Sequence, residues 1–183
     1  MKKLEENFSL EKFGLKVRLV NESDAEFIAA LRSDPERTKF MLTLDADTEK
    51  QKKWINEYKK RERNGVDYYF IYFNSKNNPI GVNRISQINF DELTCKVSGW
   101  IKRKGKKTDA AAMFLIQKDI LFFTLGMQSF YSDMNILNKS VLKYYNFFDY
   151  RVLKTENNFI HLEISKDDYK KGIPDFKKEF YLQ

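Results

Sequence analysis

The chain has one cysteine, one histidine, three prolines and seven glycines in 183 residues, and each scarcity removes a class of answer. A lone Cys95 permits no internal disulfide, which fits a reducing compartment and makes the cytoplasm the expected location. One histidine and one cysteine, far apart in sequence, do not make a His/Cys metal set. A serine triad would have to recruit His161, which sits inside the alternating run FIHLEIS and reads as a structural strand residue. So few prolines and glycines exclude collagen-like and Pro-rich classes. No apolar run approaches the roughly 20 residues of a membrane span. The opening MKKLEENFSLEKFG has no signal-peptide core. The HExxH, paired-cysteine, G-x-S-x-G, G-x-G-x-x-G and P-loop signatures are all missing.

What is present is apolar and aromatic. Hydrophobic residues make up 42% of the chain, too many for a disordered one. The length suits one domain over residues 1–183 with a sizeable core, and most of the 16 phenylalanines read as that core. The formal charge of +7 favours anionic partners. Its lysines are not all alike. Those from Lys50 to Arg63 are interleaved with Glu49, Glu57 and Glu62 on one helix, a mixed solvated face. Lys102, Arg103, Lys104, Lys106 and Lys107 instead crowd around Gly105 with no acid before Asp109.

Turn signals divide the chain. LKVRLV (15–20) reads as a strand, and Ser23 or Asp24 can cap the helix after it. Asp34-Pro35 breaks that helix, and Lys39 to Leu42 forms a further short segment. A helix runs from Thr48 to about Arg63. VDYYFIYF (66–73), IGVNRISQINF (80–90) and LTCKVSGWI (93–101) follow as three strands in series. A helix over 109–123, a strand over 128–134, a short helix over 138–147 and strands over 150–155 and 158–164 complete the pattern. Residues 1–14 are a polar arm or edge element, and the tail KKGIPDFKKEFYL is a closing helix or edge segment. A strand–helix–strand crossover embedded in hairpins predicts a mixed α/β sheet, mostly antiparallel, with helices on both faces.

Two segments carry chemistry. In WIKRKGKKTDAAA a strand runs into a basic loop and then a helix start near Thr108 or Asp109. The unpaired amides of a first helical turn, with lysines around them, make a phosphate site. In NKSVLKYYNFFDY, Asn138 can cap a helix that places Tyr145 two turns in, a phenol at the edge of an open sheet.

At these motifs the chain resembles the GCN5-related N-acetyltransferase (GNAT) superfamily. It is most similar to the branch that acetylates ribosomal-protein N-termini and to relatives that acetylate amino sugars on nucleotide carriers. AALRSDPERTKFM (29–41) resembles the opening helices of that branch. NPIGVNRISQIN (78–89) resembles its hydrophobic-Ile-Gly strand. Asn138, Tyr145 and Tyr150 repeat its late Asn–Tyr–aromatic spacing. The resemblance implies a single-domain fold with six or seven strands, about four helices and a central parallel pair, 93–101 with 128–134, splayed at its C-terminal ends.

The resemblance also implies acetyl-coenzyme A as cofactor. Gly99, Trp100 and Ile101 would hold the pantetheine arm and polarise the thioester. Lys102, Lys104, Gly105, Lys106, Lys107, Thr108, Asp109 and Ala110 would face the pyrophosphate, and Asn138, Val141 and Tyr144 would flank the cofactor. The family's two small loop positions are Lys107 and Asp109 here, so lysine charge stands where glycine amides normally wrap phosphate. Asp109 is expected to turn away and cap the helix. Tyr145 is the implied general acid toward sulfur, with Tyr144 as the fallback phenol. Arg32, Asn83 and Arg84 are the implied acceptor contacts, and no carboxylate base stands out. The acceptor is a small-molecule amine, such as an amino sugar on a nucleotide carrier, or a peptide N-terminus. Nucleic acid and membranes are not expected partners, and a monomer or homodimer is expected. The rival reading is a degenerate, non-enzymatic binding module on the same fold. It predicts a filled cleft under a convex basic face, whereas the enzyme reading predicts lysines bordering a deep groove.

Overall fold

Aromatic and β-branched runs separated by Asn, Asp and Gly turns build the sheet around which the helices are arranged. The computed structural model describes residues 3–40 and 47–183. Its elements are β1 (Ser9–Lys12), β2 (Leu15–Leu19), α1 (Ala25–Arg32), α2 (Pro35–Thr38), α3 (Thr48–Arg63), β3 (Asp67–Phe73), β4 (Pro79–Asn89), β5 (Thr94–Lys102), α4 (Lys107–Asp119), β6 (Ser129–Asn135), α5 (Lys139–Tyr145), β7 (Arg151–Glu156), β8 (Phe159–Ser165) and α6 (Lys166–Glu179). The strands form one eight-stranded sheet in the order β1-β2-β3-β4-β5-β6-β8-β7. Neighbours are antiparallel throughout except β5 and β6, the pair flanking the crossover.

This is the expected mixed sheet with additions at its margins. The opening arm becomes edge strand β1, an eighth strand where six or seven were expected. The tail resolves to a helix, α6, because Ser165 caps it by accepting from the Asp168 amide. The break at Asp34-Pro35 starts a separate single turn, α2, with Asp34 accepting from the Glu36 amide. Of the expected segment from Lys39 to Leu42, residues 41 and 42 lie outside the described residues. Helix α4 begins at Lys107, earlier than expected, and past Asp119 its coil widens into a π-turn in which the Leu125 amide bonds the Ile120 carbonyl at 2.9 Å.

Each face of the sheet carries its own core. Helices α1 and α3 cover one, with Ile28, Leu31, Ile55 and Tyr58 packed on Tyr69, Ile71, Val82 and Ile101. Helices α4, α5 and α6 cover the other, where Phe114, Phe148, Phe176 and Phe180 stack around Tyr144. The phenylalanine-rich composition is spent mainly here. No described helix is long and apolar enough to cross a membrane.

The parallel pair opens midway along its length. Backbone pairing runs from Thr94 with Ser129 to Val97 with Ser132 and stops, although β5 continues to Lys102 and β6 to Asn135. A β-bulge lies at the opening. Against β4, Val82 pairs with Ile101 but Arg84 pairs with Ser98, so Asn83 faces two residues, Gly99 and Trp100. Gly99 holds φ at +63°, a left-handed value that glycine adopts without strain. The bulge resets the alternation: Trp100 packs on Phe114 while its neighbour Ile101 joins the α1/α3 core. Gly81 is required for a different reason. A Cβ there would lie 2.7 Å from the Ile101 carbonyl oxygen and 2.8 Å from the Met113 side chain. The Ile-Gly step therefore lets β4 pass close beneath β5 and α4.

Candidate active site at the splayed strands

Where β5 and β6 part, two hollows meet. The inner one, about 120 Å³, is walled by Ser98, Gly99 and Trp100 of β5, Ser132 and Asp133 of β6, Gln117 and Lys118 of α4, and Val141 and Tyr145 of α5. The outer one, about 370 Å³, runs between Trp100, Ile101 and Lys102 on one side and Ser140, Val141, Lys143 and Tyr144 on the other, with Lys107 and Ala110 of α4 at its wall. Phe40, Trp100, Asn138 and Val141 line both, so the hollows form one groove from the start of α4 to Tyr145.

The groove wall is chemically specific. Asn138 caps α5 by accepting from the Val141 amide at 3.3 Å, which aims the helix into the opening. The Tyr145 hydroxyl lies 2.9 Å from the Ser132 hydroxyl, and burial pushes its pKa up to about 12. The Trp100 indole N–H is buried with no partner among the described residues, a donor left for an acceptor in the groove. Lys106 occupies the N-cap of α4 without a side-chain bond, and no described side chain caps the first turn. Asp133 presents a carboxylate to the inner hollow, held by Lys96 Nζ at 2.5 Å and His161 Nδ1 at 2.7 Å. Burial raises the Asp133 pKa, but these two hydrogen bonds outweigh it and the net shift is downward.

This geometry can be compared with known proteins. The acetyltransferase (GNAT) domain family matches residues 15–145. An apo structure of FdhC, a nucleotide-linked sugar GNAT, superposes with a TM-score of 0.81 at 30% identity, covering 94% of this chain and 98% of the other. The chain belongs to the GNAT acetyltransferase family. Two more distant structures share the GNAT fold. A spermidine N-acetyltransferase from Vibrio cholerae, in complex with CoA and spermine, has a TM-score of 0.71 at 17% identity, covering 86% and 98% of the two chains. A ribosomal-protein alanine acetyltransferase from Vibrio fischeri has a TM-score of 0.66 at 17% identity, covering 88% and 99%. No curated protein sequence matches the chain. The GNAT family uses acetyl-coenzyme A.

Most of the GNAT-like positions read from the sequence gather on this groove. Gly99, Trp100, Ile101, Lys102, Lys107, Ala110, Asn138, Val141, Tyr144 and Tyr145 all line it. Lys104 instead borders a neighbouring hollow of about 680 Å³ with Arg37, Arg103 and the outer face of α1. Gly105 and Lys106 are exposed in the loop, with Thr108 and Asp109 half-buried in the first turn of α4. Asp109 is not the helix cap, because the helix begins before it and Lys106 holds that position.

The implied acceptor contacts fare differently. Asn83 is fully buried on the α4 face, its Oδ1 accepting from the Tyr72 hydroxyl at 3.0 Å and its Nδ2 donating to the Met113 carbonyl at 3.3 Å. It braces β4 against α4, with both its side-chain oxygen and nitrogen engaged within the protein. Arg84 points to the other face, where Asp67 binds it through Nε at 2.7 Å and through its second nitrogen, and its guanidinium lies over Trp54. Arg32, half-buried at the end of α1, lies near Tyr69. Neither arginine lines the groove.

Among the groove residues that the sequence does not announce, three carry polar groups beside Tyr145. Asp133 and Ser132 sit in an ordinary strand and carry no local signal. Lys118 carried one: Phe114, Lys118 and Phe122 recur at four-residue spacing, which places the lysine on the apolar stripe of its helix. His161 is a strand residue as expected, and it also orients Asp133.

Proposed function

We propose that the protein transfers an acetyl group from acetyl-coenzyme A to a primary amine, in a ternary complex, through the groove between β5 and β6. The observation that carries this reading is the continuity of the groove from the start of α4 to the Tyr145 hydroxyl. The fit to the donor is local. Among the described residues no side chain caps the first turn of α4 and the Trp100 indole has no acceptor, while Lys102 and Lys107 supply positive charge beside that turn. Acetyl-coenzyme A, when bound, supplies an activated thioester.

The chain's own groups divide the work. Beyond Val97 the β5 backbone has no β6 partner, and the bulge at Gly99 leaves peptide groups to polarise a carbonyl. Tyr145, anchored by Ser132, is the phenol on the sulfur side. Asp133 is the carboxylate that meets the acceptor's ammonium and orients it, with Lys96 and His161 fixing its two oxygens. Direct transfer is favoured because Cys95 is buried and burial pushes its thiol up to about 12, which disqualifies it as an acyl carrier. The acceptor is an amino sugar on a nucleotide carrier or a peptide N-terminus, and the likeness to a nucleotide-linked sugar GNAT favours the sugar. The groove bordered by Lys102 and Lys107 argues against a filled, convex binding module. A panel of nucleotide-linked amino sugars, polyamines and N-terminal peptides, scored by coenzyme A release, tests the reading. Turnover with one class selects the acceptor; calorimetry with no acetyl-coenzyme A binding at millimolar ligand rejects the enzyme.

A further inference from the structure

Lys118 is 2% exposed and lines the inner hollow beside Tyr145. Its ammonium lies 4.1 Å from the ring centre of Phe114, 5.3 Å from Phe130 and 5.9 Å from Tyr145. Its hydrogen bond goes to Gln117 Oε1 at 2.6 Å, and Gln117 is itself pinned by donating to the Arg84 carbonyl at 2.9 Å. No carboxylate among the described residues forms an ion pair with it. The titratable groups around it are Cys95 of β5, Tyr145 of α5 and Asp133 of β6, and Asp133 is engaged by Lys96 and His161. A lysine kept for stability would carry a carboxylate partner, because an unpaired buried cation opposes folding. This one is held by an amide and by ring faces at the point where the strands part.

We propose that the Lys118 ammonium supplies the proton taken up by the leaving coenzyme A thiolate, acting with Tyr145 at the splay of β5 and β6. The inference rests on the acetyl-coenzyme A reading and deepens it. The acceptor ammonium first loses one proton to solvent; the neutral nitrogen then bonds to the acyl carbon and the carbon–sulfur bond breaks, its electron pair going to sulfur. The Lys118 ammonium gives its proton to that sulfur. The neutral amine left behind takes the proton released by the acceptor nitrogen, so Lys118 ends the cycle as it began. Burial lowers the Lys118 pKa to about 7, Cys95 opposing, while the Tyr145 phenol sits near 12. A thiol near 8.5 is matched by the first and poorly by the second.

The experiment titrates bound coenzyme A by its ultraviolet thiolate absorbance, in the full-length protein, with calorimetry confirming binding. In the wild type the thiol dissociation constant rises about tenfold or more over free coenzyme A, because a cation faces the sulfur. Lys118→Met abolishes that rise. Lys118→Arg retains it and still loses turnover, since guanidinium does not release its proton. Coenzyme A that binds yet titrates as it does free overturns the proposal from the wild type alone, whether or not a variant folds. A wild type that binds no coenzyme A fails the acyltransferase reading itself, and the proposal with it.

Discussion

Asp67 and Lys118 are both almost fully buried, at 1% and 2% exposure, yet their surroundings are opposite. Asp67, at the start of β3, is gripped by Arg61 at 2.8 Å and by Arg84 through two nitrogens. Its hydrogen bond is the largest cause of the raised Arg84 pKa. Both arginines also lie over Trp54, so charge, hydrogen bonds and ring faces close on one another. Lys118, in α4, has ring faces and one amide but no counter-charge among the described residues. The α1/α3 face thus completes its polar network internally, whereas the α4/α5 face leaves its cation available to something that enters the groove. A satisfied buried charge marks scaffold, and an unsatisfied one marks a site.

Breaking the satisfied network is the severest test. Asp67→Ala should cost about 3 kcal/mol in urea unfolding, the lower end for a severed buried ion pair, because the stranded arginines can turn toward water. Removing the unsatisfied charge should do the reverse. Lys118→Met should stabilise the fold by about 2 kcal/mol at pH 7. The sign follows from linkage. The folded pKa of Lys118 is depressed to about 7, below the unfolded lysine value near 10.4, so the unfolded chain binds more protons between them. Wild-type stability therefore rises with pH across that window, and the gain from methionine should shrink toward pH 10. Thermal melts at both pH values check it; a variant less stable than wild type would make Lys118 structural.

Tyr145→Phe sharpens the comparison from within the groove. It should lower kcat by about 10–100-fold if the phenol shares in protonating sulfur, with acetyl-coenzyme A affinity unchanged by calorimetry. The smallest effect lies at the groove mouth. Asp109→Ala removes a carboxylate from the first turn of α4 and should tighten acetyl-coenzyme A about 2–5-fold, the size of a helix-end charge effect. Unchanged affinity would mean that Asp109 is already balanced by Lys102, which lies in its field.

Much of this arrangement was legible because hairpin turns and a crossover helix are local signals. The run from Asp67 to Lys102 announces three antiparallel strands, and the helix after it forces a parallel return. The capping role of Asn138 and the position of Tyr145 followed from spacing alone. The orientation of Asn83 did not. Strand β4 is buried on both faces, so its sequence GVNRIS lacks the alternation that would tell an inward amide from an acceptor contact. The bulge at Gly99 was hidden for a related reason: it shifts the phase of β5 at a residue with no side chain, so Val97 and Gly99 read as a continuing alternation. Lys118 is hard to read because QKD looks like a solvated patch until its four-residue spacing from Phe114 and Phe122 is counted. Asp133 is paired by Lys96 and His161, residues distant in sequence that only the sheet brings together.

The short run of pairing between β5 and β6 also bears on how the chain folds. Strands β1–β5 and β6–β8 are each stitched by antiparallel neighbours, and a seam from Thr94 with Ser129 to Val97 with Ser132 joins them. Within the sheet the two strand groups meet along that one line, while the core beneath α4 spans both. Closing the seam brings together strands separated by the crossover from Arg103 to Gln128. Amide exchange under mild denaturant should find β6–β8 opening together while β2–β4 stay protected. A ligand bridging the two walls would slow that opening, because the groove lies where the β5–β6 pairing ends.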